Sequence, residues 1–274
     1  MRKILIPLMA GIIAGLLISG CEPIVTDEPL KNIAKSSGCS DSNISNKGKP
    51  IQGYAEGMAI VFAKSYCSMR ANKPYALALA KGRDLPESSA DKYDALSWYN
   101  SNFRSVGLLN DKAGVETLKN LYMLGMGLGM RESDGKYCTG RDTTASNTTS
   151  DTAEAGLFQT SWNARSAHPE LRKLFDAYKA GEKCHLDIFK QGVTEKYCAA
   201  QGGVYGSGDG KEFQVLARNC PAFATEFAML TLRTLRRHYG PINRKEAGLP
   251  MKCRDMFSSV QAEIDRNPEL CGIL

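Results

Sequence analysis

The chain has 274 residues, with 35 basic against 29 acidic side chains, a formal charge of +6, and nine cysteines. So mild a basic balance suits an anionic polymer or an ordinary solvated face, and nothing in the chain resembles a nucleic-acid motif. No Cys-x-x-Cys pair or Cys/His cluster has zinc-site spacing, the nearest being the adjacent Cys184 and His185, so no metal or cofactor is expected.

In chain order, Met1-Arg2-Lys3 is a short basic start, followed over 4–17 by an almost wholly apolar run with small residues at Ala10, Gly11, Ala14 and Gly15. The pattern is that of a secretory signal, too short and glycine-rich for a membrane span. It stops at Ile18-Ser19-Gly20-Cys21, which resembles the lipobox of bacterial lipoproteins. That resemblance implies a signal peptide over 1–20, lipidation of Cys21 as the new N-terminus, and attachment to a membrane through that lipid. Glu22 rather than Asp after the cysteine implies the outer membrane of a Gram-negative envelope, facing the periplasm.

Without Arg2 and Lys3, 33 basic side chains face 29 acidic ones, a balance of +4. Beyond Cys21 stand Cys39, Cys67, Cys138, Cys184, Cys198, Cys220, Cys253 and Cys271, an even number that allows four disulfides in an oxidising compartment and leaves little room for a catalytic thiol. Residues 21–50 are rich in Ser, Asn, Asp, Lys and Pro and read as a flexible tether. Residues 51–274 suffice for one domain, with no second linker and no internal repeat.

Hydrophobic periodicity predicts helices over 53–71, 91–106, 113–131, 169–179, 213–238 and 254–265, with Ser, Asp, Pro and Gly at their starts and stops, so the fold class is mainly α. The 213–238 helix is apolar round most of its face and is expected to be the buried spine, with Arg233, Arg236 and Arg237 solvated at its end. His168, His185 and His238 are scattered without a partner pattern and are expected to be structural. The 113–131 helix carries Gly125, Gly127 and Gly129, each costing a helix about 1 kcal/mol relative to alanine. Such residues let a neighbouring helix or the backbone of a ligand approach closely. The helix then runs into Arg131, Glu132, Ser133 and Asp134. Residues 133–159 form a long polar loop with room for a small hairpin, of the kind that is usually either functional or disordered.

Glu132-Ser133 at a helix end, followed after this loop by Gly156-Leu157-Phe158-Gln159, resembles the signature of the lysozyme-like superfamily, specifically the goose-type lysozymes and the lytic transglycosylases. Phe158 stands where Met is commoner, the match covers about 113–163, and the "VYGSGDG" stretch at 204–210 shares too little with a transglycosylase Tyr-Asn-x-Gly element to carry over. The resemblance implies a lysozyme-like domain whose cleft lies beside the loop. It implies Glu132 as catalytic acid, with Ser133, Gly156, Leu157, Phe158 and Gln159 lining the sugar groove. The implied substrate and partner is the glycan strand of peptidoglycan, cleaved as by a muramidase or a lytic transglycosylase. Chitin or chitosan, and a catalytically silent peptidoglycan-binding lipoprotein, are the alternatives.

The residues themselves suit this chemistry. Cleaving a glycosidic bond requires a carboxyl that stays protonated near neutral pH to protonate the leaving oxygen, and an apolar wall supplies that by disfavouring the charged form. Leu124, Met126, Leu128 and Met130 precede Glu132 and offer such a wall. An inverting hydrolase also needs a base, drawn from Asp134, Asp142, Asp151 and Glu154, whereas a transglycosylase uses the substrate's own hydroxyl. Asp151 lies nearest to where goose-type enzymes place an acid, although Ser161 stands where they often carry a further aspartate. Gln159 can pair with a sugar amide or hydroxyl, and Trp162 or Tyr137 can either stack on a pyranose face or pack in the core.

Overall fold

Helix carries almost all the regular structure in the computed structural model, which describes residues 25–44, 46–83, 93–143 and 149–274. The expected signal segment, Cys21 and the first residues of the 91–106 helix lie outside these. The helices are α1 (Glu28–Ser36), α2 (Gln52–Arg70), α3 (Pro74–Ala80), α4 (Ala95–Trp98), α5 (Asn100–Ser105), α6 (Val115–Ser133) and α7 (Pro169–Lys179). They continue with α8 (Leu186–Phe189), α9 (Glu195–Ala200), α10 (Gly208–Asn219), α11 (Pro221–Thr234), α12 (Gly240–Asn243) and α13 (Met251–Arg266). No strand forms among the described residues; the expected hairpin is a single antiparallel bridge between Ala155 and Thr160. None of the described helices is long and apolar enough to cross a membrane.

Helices α2, α6 and α11 form the centre, each buried over most of its circumference. Around α2 pack α1, α3, α6, α8, α11 and α13. Phe62 of α2, Tyr122 of α6 and Phe257 of α13 meet edge-on or tilted at 4.9 to 5.8 Å between ring centres. Trp162, Phe175, Phe213 and Phe227 form a second aromatic cluster. Each such ring, fully buried, contributes about 2–3 kcal/mol from apolar area.

The expected 213–238 helix is broken at Pro221, which lacks the N–H a continuous helix would need and ends α10 at Asn219. Its second part, α11, is the buried spine that was expected. Two of the arginines at its end are not solvated. Arg233 is buried against Asp94 at 3.1 Å, and Arg236 is buried with its guanidinium 4.1 Å from the Trp98 ring centre.

Residues 28–44 are not a tether. Asp27-Glu28-Pro29 opens α1 with proline and acid in the first turn, where orphan amides and the helix dipole favour both. Leu30 and Ala34 are buried in the core, and Cys39 is bonded to Cys253. The other pairs are Cys67–Cys271, Cys138–Cys198 and Cys184–Cys220, so all eight cysteines beyond Cys21 are joined. Closing loops of such length constrains the unfolded chain by about 3–5 kcal/mol each.

Candidate functional site

The glycines of α6 face protein. A Cβ at Gly125 would stand 2.5 Å from the terminal methyl of Met229, one at Gly127 would stand 2.3 Å from the Gly248 carbonyl, and one at Gly129 would stand 2.2 Å from the Tyr54 hydroxyl. That hydroxyl lies 3.1 and 3.2 Å from the Gly125 and Met126 carbonyls, pinning α2 to α6. The helix cost of the glycines is thus offset by close packing at the buried end of α6, just before Glu132.

Asp134, at φ 53°, turns the chain out of the helix into the left-handed region, and the Gly135 amide donates back to the Gly129 carbonyl. The buried Ser133 hydroxyl donates to the Leu157 carbonyl at 2.7 Å and lies 3.0 Å from that of Gly129. This bond ties the Glu132-Ser133 end of α6 to the 156–159 turn. Gly156, at φ 77°, has its would-be Cβ position 2.4 Å from the Ala217 carbonyl of α10, so no side chain fits there. Leu157 and Phe158 are fully buried, with Phe158 against Gly129. Gln159 spends its side-chain amide on the Gly156 carbonyl at 2.9 Å, closing the turn.

Glu132 is half-buried at this junction, and burial pushes its carboxyl up to about 8 from an ordinary 4.5. The negative charge of Glu154 pushes the same way, and the cations Arg244, Arg131 and Lys47 oppose it. All three cations are already engaged. Glu246 takes Arg131 at 2.7 Å and Arg244 at 2.8 Å, and their hydrogen bonds hold its own carboxyl down at about 2. Asp134 pairs with Lys47 at 3.4 Å and Lys136 at 3.7 Å. Tyr239, buried with its hydroxyl 3.0 Å from Thr160 Oγ1, is pushed up chiefly by burial and also by the charges of Glu132 and Glu154. Next to it, His238 is pushed down to about 4 by burial, and its Nε2 accepts the Ser161 amide at 3.3 Å, as a neutral ring can. His168 accepts the Glu170 amide and caps α7.

The structure therefore joins the Glu132-Ser133 helix end to the segment from Gly156 to Gln159 through Ser133, while the side chains of Leu157 and Phe158 lie in the core and that of Gln159 is buried on its own turn. Asp151 is elsewhere. Its carboxylate pairs with Arg165 at 3.2 Å, its carbonyl accepts the Asn163 amide, and it stands against Gly210 at the start of α10. The carboxylate charge that acts most strongly on Glu132 is that of Glu154. Trp162 is a core residue, 4.4 Å between ring centres from Phe175, and Tyr137 is buried with its hydroxyl 3.6 Å from the Cys198 sulfur. Neither offers a free ring face to a sugar. Arg244, Glu246 and Tyr239 reach the site from more than a hundred residues downstream, where no local pattern marks them. Among the described residues no three His, Cys, Asp or Glu side chains stand together to hold a metal ion. No protein-family model, curated protein or solved structure matches this chain.

Proposed function

We propose that the protein cleaves β-1,4 glycosidic bonds in the glycan strand of peptidoglycan, as a muramidase or a lytic transglycosylase of the lysozyme-like kind, with Glu132 as general acid. The observation that carries the reading is the carboxyl of Glu132, held at about 8 at the end of α6 and joined through Ser133 to the 156–159 turn. Such a carboxyl keeps its proton at neutral pH and can deliver it to the leaving oxygen as the glycosidic bond breaks. Once it has done so, the charges of Arg244, Arg131 and Lys47 favour the carboxylate left behind. Glu154 helps hold the proton on Glu132 beforehand. Four disulfides suit an exported protein, and the lipid on Cys21 holds it at the outer membrane facing the periplasm.

Incubation with defined glycan strands, followed by mass analysis of the products, tests the proposal. New reducing ends identify a hydrolase and 1,6-anhydro ends a transglycosylase. Strands left intact would overturn the reading in favour of a silent glycan clamp.

A further inference from the structure

On α2, α3 and α7 lies a cavity of about 230 Å³ that has no part in the site around Glu132. It is smaller than the roughly 300–1,000 Å³ of pockets that take drug-sized ligands, so its occupant is small. Its floor is a charged pair that the fold has little reason to bury for stability alone. Lys64 is nearly buried, and Glu226 is wholly so. Glu226 is fully committed: Tyr75 donates to it at 2.9 Å, Tyr178 at 2.7 Å, and the Lys64 ammonium lies 3.5 Å away.

The second carboxylate on Lys64 is held differently. Glu182 reaches the ammonium at 3.0 Å, but it is 43% exposed and follows Gly181, which sits at φ +117°. Lys64 is its one ionic partner among the described residues. A second cavity opens on the other side of this pair and shares Lys64, Lys73 and Glu182 with the first. Lys73 stands exposed at their junction and pairs with no carboxylate among the described residues. At the mouth Lys173 and Glu170 neutralise each other at 2.6 Å. Swinging Glu182 outward would leave the junction with one surplus positive charge, two ammonium groups, and an apolar wall of Pro74, Leu174 and Ala177.

We propose that this junction binds the terminal carboxylate of a short peptide, which replaces Glu182 on Lys64 and pairs with Lys73 while its small side chains lie against the apolar wall. Glu182 is then the chain's own stand-in for the ligand, and it competes with it. Both Glu182 and Lys73 are exposed, so their substitution leaves the fold intact.

Titration of the protein with acetyl-alanyl-alanine, followed by NMR, tests this against the same peptide with an amidated C-terminus. The free acid should bind with a Kd on the order of millimolar and the amide at least about tenfold more weakly. Glu182→Gln should tighten binding of the acid by about five- to tenfold, and Lys73→Gln should weaken it by a similar factor. Equal binding of acid and amide would overturn the proposal. So would Glu182→Gln failing to tighten binding, Lys73→Gln failing to weaken it, or no binding by either wild type or Glu182→Gln.

Discussion

Replacing Glu132 by glutamine should stabilise the protein, and by an amount that depends on pH. In the unfolded chain the carboxyl titrates near its ordinary 4.5; in the folded protein it titrates at about 8. Below the lower value both states hold the proton, and this group makes no difference to stability. Between the two values the unfolded chain releases a proton that the folded protein keeps, so wild-type stability falls as pH rises, at about 1.36 kcal/mol per pH unit. Above the higher value the carboxyl is ionised in both states and the loss is complete. The whole displacement corresponds to about 5 kcal/mol. Water reaches the half-buried carboxyl and screens its charge, which brings the expected loss to about 2–3 kcal/mol. Glutamine does not titrate. Its advantage over wild type, measured by urea denaturation with the disulfides intact, should therefore grow by that amount between about pH 4 and about pH 9. An advantage independent of pH would refute the reasoning, because it would mean that Glu132 titrates alike in the folded and unfolded states.

The charge on Glu154 helps hold the proton on Glu132, so Glu154→Gln should move the alkaline limb of the pH–activity profile down by on the order of one pH unit. A parallel Asp151→Asn should leave both the limb and the rate near wild type; an unmoved limb in the first variant or a collapsed rate in the second would reverse the two roles. Gly129→Ala drives a methyl into the Tyr54 ring and hydroxyl and should cost about 2–4 kcal/mol in chemical denaturation. Gly125→Ala meets only the flexible end of Met229 and should cost about 1 kcal/mol, so equal costs would contradict the packing argument. Thiol titration of the denatured, unreduced protein should find none of the eight cysteines from Cys39 to Cys271 free, and two or more free thiols would disprove the pairing.

Periodicity located α6, α7 and α13 to within three residues at either end, because each presents a continuous apolar stripe and ends at a recognisable cap. Helix α1 was missed because the Ser- and Asn-rich stretch after it dominates the composition. Its own signal, Leu30, Ile33 and Ala34 behind Asp27-Glu28-Pro29, is only nine residues long and is stabilised by contacts with α2 and α13 and by a disulfide 214 residues away. The 213–238 stretch reads as one helix because apolar residues continue on both sides of Pro221, whereas the missing proline N–H divides it into α10 and α11.

In the site, the pairing of Glu132-Ser133 with the 156–159 segment was legible as a motif. Which carboxylate acts on Glu132 was not, since Asp151 and Glu154 are three residues apart and only the folded chain commits Asp151 to Arg165 and brings the charge of Glu154 to bear on Glu132. Nor does composition tell whether an aromatic such as Trp162 stacks on a ligand or packs in the core; that depends on Phe175 and Phe213, which come from other helices.

The central claim is that Glu132 delivers the proton that breaks a glycosidic bond. The measurement that tests it most directly compares wild type with Glu132→Gln, both shown to be folded, on defined peptidoglycan strands at neutral pH, with product ends counted by mass. Wild type should cleave the strands, and the variant should be slower by at least about two orders of magnitude, since glutamine keeps the size and polarity of the side chain but has no proton to give. A folded variant that cleaves at close to the wild-type rate would contradict the account.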